Sequence, residues 1–192
     1  GDYQVAITVP AGYIVAATGT LDNPQDVLTP EERARLAIAV KSDSMVHIIT
    51  EADLASGAAR PKRDGVLTWK FSAKNVRDAV WCASPAFQWD ATGWHGVLAQ
   101  SYYDSHLARH LPTRVWEDAA DQARMSIEEY WERWYPYPYP QVSVVQGPVM
   151  GMEYPMLSMD GVALSQEALY TTITHEVGHN WFYGMLGNNE TY

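Results

Sequence analysis

Near the end of this sequence, His175-Glu176-Val177-Gly178-His179 sets two histidines four residues apart, with an acid directly after the first. Residues at i and i+4 project from one face of a helix, so two imidazoles at this spacing can reach one ion. Zn²⁺ takes histidine nitrogen readily and, in catalytic sites, keeps a position open for water. The acid is offset around the helix yet close enough to take a proton from that water, which the metal acidifies while polarising a carbonyl. His175 and His179 are therefore candidate zinc ligands, and Glu176 is a candidate general base. Chance produces such a pattern in a chain of this length at roughly one per cent or less, given ordinary residue frequencies. Here it also lies among Ile173, Val177 and Trp181, the apolar flanks that a packed helix needs.

Two histidines leave a catalytic site short, since such sites usually have three protein ligands. The metzincin pattern would need Gly at 182 and His at 185, where this chain has Phe182 and Met185. Glu190 is the only acid after the motif, eleven residues past His179. It reaches the ion only if the chain turns back sharply, so a carboxylate beyond Tyr192 is the stronger expectation.

From His175 to Gly184 the run HEVGHNWFYG resembles the zinc-helix signature of the aminopeptidase N family of zinc metallopeptidases. Upstream, Gly151-Met152-Glu153-Tyr154-Pro155 is similar to that family's G-x-M-E-N exopeptidase motif, and Phe71-Ser72-Ala73 with Asp78 to Pro85 resembles the end of its N-terminal β-domain. The resemblance implies that His175 and His179 bind zinc and that Glu176 is the general base. It implies that Glu153 binds the free α-amino group of a peptide, with Gly151 and Met152 along the substrate backbone as an edge strand. The third ligand, a Glu, and an oxyanion-stabilising Tyr would both lie beyond Tyr192. On that reading the chain is truncated at both ends, holds zinc weakly and is inactive by itself. Tyr154 and Met150 depart from the commonest Asn and Gly of the motif. The chemistry of Glu153 is reasonable in itself: a fixed carboxylate beside the metal recognises a terminal ammonium by a charge-assisted hydrogen bond. Taken alone, such an acid is more often an ordinary surface group.

The implied activity is that of a zinc-dependent aminopeptidase acting on peptides with a free N-terminus. Two rivals stay open. A thermolysin-like zinc endopeptidase would give Glu153 no amine to bind, and a catalytically silent scaffold would have no use for His175, Glu176 and His179 together.

These residues must be positioned by helices and strands. Leu169, Ile173 and Val177 predict a helix from about Gln166 to about Gly184. Trp116, Ala120, Ala123, Ile127, Tyr130 and Trp134 recur at spacings of three and four, which predicts a second helix with Thr113 as its N-cap. Pro136, Pro138 and Pro140 end it, and Val142 and Val144 begin a strand. Earlier, Val5, Ile7 and Val9 alternate in a strand. Residues 13–17, 45–49 and 66–71 read as further strands, and 79–85 as a last buried one. A short helix is expected at 31–40. The composition shifts near residues 90–94. The whole is expected to be α+β: a β-sandwich-like segment over 1–92, the end of an N-terminal domain, and the first half of a thermolysin-like catalytic domain over 93–192.

Bulk properties narrow the classes. The 192 residues are 47% hydrophobic, enough for a sizeable core, and 23 acids against 13 Lys and Arg give a net charge of −10. Nucleic-acid binding is excluded on that balance, because phosphate contacts need clustered positive charge. No run approaches the roughly 18 apolar residues of a membrane span. Gly1 to Gln4 shows no secretion signal, so any such segment would lie upstream. Cys82 has no partner for an internal disulfide and reads as a small core residue. His95, His106 and His110 read as surface or packed residues. Trp131, Trp134, Tyr135, Tyr137 and Tyr139 favour core packing over a carbohydrate platform. Compartment stays open, a bacterial periplasmic or secreted setting being the expectation and a cytoplasmic one the alternative.

Overall fold

A computed structural model describes residues 1–61, 64–107 and 115–187. Period-two alternation builds the first sheet. In β1 (Tyr3–Pro10) it turns Ile7 and Val9 inward, and in β5 (Val66–Ala73) Leu67, Trp69 and Phe71. These strands pair antiparallel, and the short β3 (Thr20–Leu21) adds to the far side of β5. The fully buried β2 (Ile14–Ala17) pairs with β6 (Trp81–Ser84). The 79–85 segment is less buried than its apolar run implies, because Trp81 is 50% exposed on the edge of a two-stranded sheet.

Three helices interrupt the strands of this first part: α1 (Pro24–Val27), α2 (Pro30–Ala39) and α3 (Glu51–Ser56). Two of them start on capping boxes. Thr29 and Thr50 each accept from the third backbone N–H, while Glu32 and Asp53 reach back to the cap.

The second sheet carries the site. It has six strands in the order β10 (Met152–Tyr154), β11 (Leu157–Asp160), β9 (Gln141–Gln146), β8 (Val97–Tyr103), β7 (Gln88–Trp94) and β4 (Val46–Ile49). β8, β9 and β11 run parallel, and β4, β7 and β10 run against their neighbours. Position 92 lies inside β7, so this sheet draws its edge strand β4 from the first part of the chain. Its core is covered by α4 (Ala119–Arg133), which follows a 3₁₀ turn at Val115–Asp118, and by α5 (Gln166–Gly178). Ala119, Ala123 and Ile127 of α4 meet Leu169, Ile173 and Val177 of α5 over Val142 and Val144. The described chain is thus a mixed α/β structure. Thr113, His110 and Glu190 lie outside the described residues.

The helix of the H-E-x-x-H run stops at Gly178, six residues before the expected 184. Beyond it the backbone winds through successive turns, with Asn180 N bonding to Val177 O and Trp181 N to Gly178 O. The Asn180 side chain donates to Val177 O and so competes with the helical ladder.

Candidate metal centre

Ser165 starts α5 by accepting from Ala168 N. Burial of Leu169, Ile173 and Val177 fixes its inner face. Two contacts from α4 then lock its rotation. Tyr130 donates its hydroxyl to Thr174 O at 3.0 Å, and the hydroxyls of Ser126 and Thr174 share a hydrogen bond at 3.1 Å. With the helix held this way His175 faces solvent, His179 is half-buried and Glu176 is only 7% exposed.

The turns after α5 are clamped by aromatic residues. Trp181 donates its indole N–H to Tyr135 O at 2.7 Å, and its ring packs edge-on to Tyr130, Trp134 and, tilted, Tyr137. Trp134 stacks on Tyr130 with centroids 4.2 Å apart. Most of the aromatic group noted in the sequence therefore packs the end of the motif helix in place.

His175 Nε2 and His179 Nε2 stand 3.1 Å apart with their rings perpendicular. Two nitrogens bound to one tetrahedral ion at about 2.0–2.1 Å would be about 3.3 Å apart. His179 Nδ1 lies 3.3 Å from Phe182 O. A proton on that nitrogen donates to the carbonyl and leaves the Nε2 lone pair free for a metal.

The opposite wall is the β10–β11 hairpin. Its turn, Pro155-Met156, has Met156 at φ 62°, a conformation that a non-glycine residue adopts at some cost. Asn180 Oδ1 accepts from Met156 N at 3.0 Å and ties this turn to the residue after His179. Gly151, just before β10, lies so close to Glu176 that a Cβ there would fall 2.5 Å from Oε1. Glu153 projects from β10, and one carboxylate oxygen of Glu153, one of Glu176 and a ring nitrogen of His179 all lie within 4.8 Å of one another. Met152 is 38% exposed on the same edge strand.

Electrostatics follow from this crowding. Burial raises the Glu176 carboxyl above its ordinary value. The neighbouring Glu153 charge adds to the rise, and His175 and His179 oppose it. Among the described residues Glu176 Oε2 is buried without a hydrogen-bond partner. Behind it, the fully buried Asp160 is raised to about 7, mainly by desolvation, with Glu176 adding to the rise and a 2.8 Å bond from Ser158 Oγ opposing it. Its Oδ1 likewise has no partner among the described residues. Tyr183, at φ 94°, packs edge-on to His179 and under the Arg77 guanidinium.

The structure thus brings together His175, Glu176, His179, Glu153 and Gly151 from two segments. The donor set fits a zinc ion: two converging imidazole nitrogens, a facing carboxylate and a buried oxygen with no partner of its own. Asn180 and Asp160 were not singled out from the sequence. An Asn directly after the second His is a readable helix-end signal, whereas the burial of Asp160 is set by strand pairing alone.

No family model matches this chain, and no curated protein sequence matches it either. Among solved structures it is similar to the crystal structure of an M1 zinc metallopeptidase from Deinococcus radiodurans. The two share 18% identity at a TM-score of 0.52, over 94% of this chain and 34% of that one. At that identity the likeness shows the fold: this chain is built like about a third of such a metallopeptidase. Among the described residues no helix is long and apolar enough to cross a membrane.

Proposed function

We propose that the protein carrying this chain is a zinc-dependent aminopeptidase that removes N-terminal residues from peptides. In this reading the chain spans the end of a β-sandwich-like domain and the first part of a thermolysin-like catalytic domain, whose sheet also takes in β4 and β7. The observation that carries the function is the approach of Glu153 to Glu176 and His179 within 4.8 Å. It sets a spare carboxylate next to a histidine pair and a buried acid.

His175 and His179 would hold the zinc, which when bound supplies Lewis acidity to polarise the scissile carbonyl and acidify a water. Glu176 would take a proton from that water as its oxygen adds to the scissile carbonyl carbon, and would return the proton to the amine nitrogen as the C–N bond breaks, burial having raised its carboxyl. Among the described residues β10 is paired on one side only, by β11, which leaves its outer edge to align an extended peptide. Glu153 on that strand then faces the α-ammonium and accepts a charge-assisted hydrogen bond. Gly151 leaves space for the carboxylate of Glu176 at the point of closest approach.

The test uses the intact protein, loaded with zinc, and paired peptides that differ only in N-acetylation. Cleavage of the free peptides alone, one N-terminal residue at a time, supports the reading. Equal cleavage of both would turn it into an endopeptidase, and zinc binding without hydrolysis would leave a silent scaffold.

A further inference from the structure

Two walls face each other at the metal centre, the end of α5 and the β10–β11 hairpin, and one buried side chain spans them. We infer that Asn180 is a positioning residue: it sets the distance between Glu153 and His179, and so governs how strongly the site prefers a free N-terminus, without touching the substrate. This rests on the proposed function for the role of Glu153 and deepens it at the same site.

Asn180 follows His179 directly and is only 5% exposed. Its Nδ2 donates to Val177 O at 3.1 Å, a carbonyl that its own backbone N–H also reaches at 3.1 Å. A carbonyl can only accept, so the amide must turn its nitrogen to the helix end and its oxygen outward. That oxygen meets the backbone N–H of Met156 at 3.0 Å, a group that can only donate. One side chain thus satisfies a carbonyl of α5 and an amide of the facing turn, both in buried bonds. Leucine has the size and neither group, aspartate lacks the donor, and glutamine carries its amide one methylene further out.

The other side of the turn is fixed as well. Met156 O accepts from Ser143 N of β9 at 2.9 Å, so this residue, at φ 62°, is held between the sheet and the helix end. From there the path to Glu153 is short, because Tyr154 pairs with Leu157 and Glu153 with Ser158. A carboxylate oxygen of Glu153 and a ring nitrogen of His179 lie within 4.8 Å of each other. A site that must recognise an amine and a metal-bound group together needs them placed to within about 0.5 Å, and a bond beside both can hold that tolerance. Without the Asn180 oxygen the Met156 N–H is left buried and unpaired, and the turn gains by shifting towards another partner. Glu153 shifts with it, whereas His175, Glu176 and His179 keep their places on α5 and its cap. The loss falls on amine recognition and spares the metal.

The experiment measures by calorimetry how the intact protein, loaded with zinc, binds alanine hydroxamate and its N-acetyl form. The hydroxamate group takes the metal in both, and only the first offers Glu153 an ammonium. The wild type is expected to prefer the free amine. N180A should lose about tenfold or more of that preference, while binding the N-acetyl form within about twofold of the wild type. N180D keeps the acceptor for Met156 N and should hold most of the preference. On the metal-free protein, hydrogen exchange at the Met156 amide should quicken in N180A and stay slow in N180D, with urea unfolding showing both variants folded. A preference intact in N180A, or both ligands weakened alike, would overturn the inference. So would a Met156 amide still protected in N180A, or a preference lost in N180D while that amide stays protected. A wild type without preference would strike the amine contact of Glu153 itself, and that result is seen before any variant is compared.

Discussion

A β-carbon on Gly151 would stand 2.5 Å from Oε1 of Glu176 and 3.4 Å from Cγ2 of Thr172. The strand beside the motif helix therefore passes over the buried acid with no space for a side chain. Gly151→Ala must push Glu176 aside. It should cost about 1–3 kcal/mol of stability, as overpacking does, and on the proposed function lower kcat of the intact protein by about tenfold or more. Urea unfolding and steady-state kinetics check both. A fully active alanine variant would show that the close approach does not matter to Glu176.

Glu176→Gln removes a proton acceptor and leaves both histidines in place. On the proposed function, the intact protein loaded with zinc should keep the metal and lose about a hundredfold or more in kcat, the usual scale for a lost general base. Metal analysis beside kinetics decides it, and near-normal turnover would end the assignment.

Glu153→Ala should penalise substrates with a free α-amine far more than blocked ones, because only the former present a cation to it. Comparing kcat/KM for acetylated and free peptides, at zinc concentrations high enough to saturate the variant, separates amine binding from metal loss. Equal losses on both would rule out the amine contact.

Asp160 ties stability to pH. Its carboxyl titrates near 3.8 when exposed and near 7 in the fold, because burial disfavours the charge. Between those values the folded chain holds a proton that the unfolded chain has released. Its contribution is therefore complete below the unfolded value and is lost as pH rises towards 7. Asp160→Asn should remove that slope. From pH 4 to pH 8 the variant should gain on the wild type by about 2–4 kcal/mol in urea unfolding. A constant difference across the range would mean that Asp160 is ionised throughout.

The histidine pair was legible because its chemistry is local, a helical repeat within five residues. The long amphipathic run of α4 was legible for the same reason, as were the alternating strands β1 and β5. The β7–β8 hairpin was not. Its turn is His95-Gly96, with φ of 46° and 85°, so histidine takes a left-handed position where Asn or Asp is the usual signal. What read as a change in composition near residue 92 is the middle of a strand. The β10–β11 hairpin was hidden in a similar way, by Met156 at φ 62°. The motif from Gly151 to Pro155 could be recognised as a string, but its position against Glu176 depends on β11 pairing in parallel with β9. The end of α5 was misplaced because the competing bond comes from the Asn180 side chain, which periodicity does not weigh.

Among the described elements, α4, β10, β11 and the 3₁₀ turn pack against α5, and all of them precede it in sequence. Synthesis is vectorial, and domains form from the N-terminus as the chain leaves the ribosome at roughly 5–20 residues per second. These elements are thus made before His175, and the histidine pair is added to a wall that precedes it in the chain. A nascent chain halted after Asp160 should already protect the amides of β8 and β9 from exchange. Metal capture by the pair therefore has to follow the synthesis of these elements.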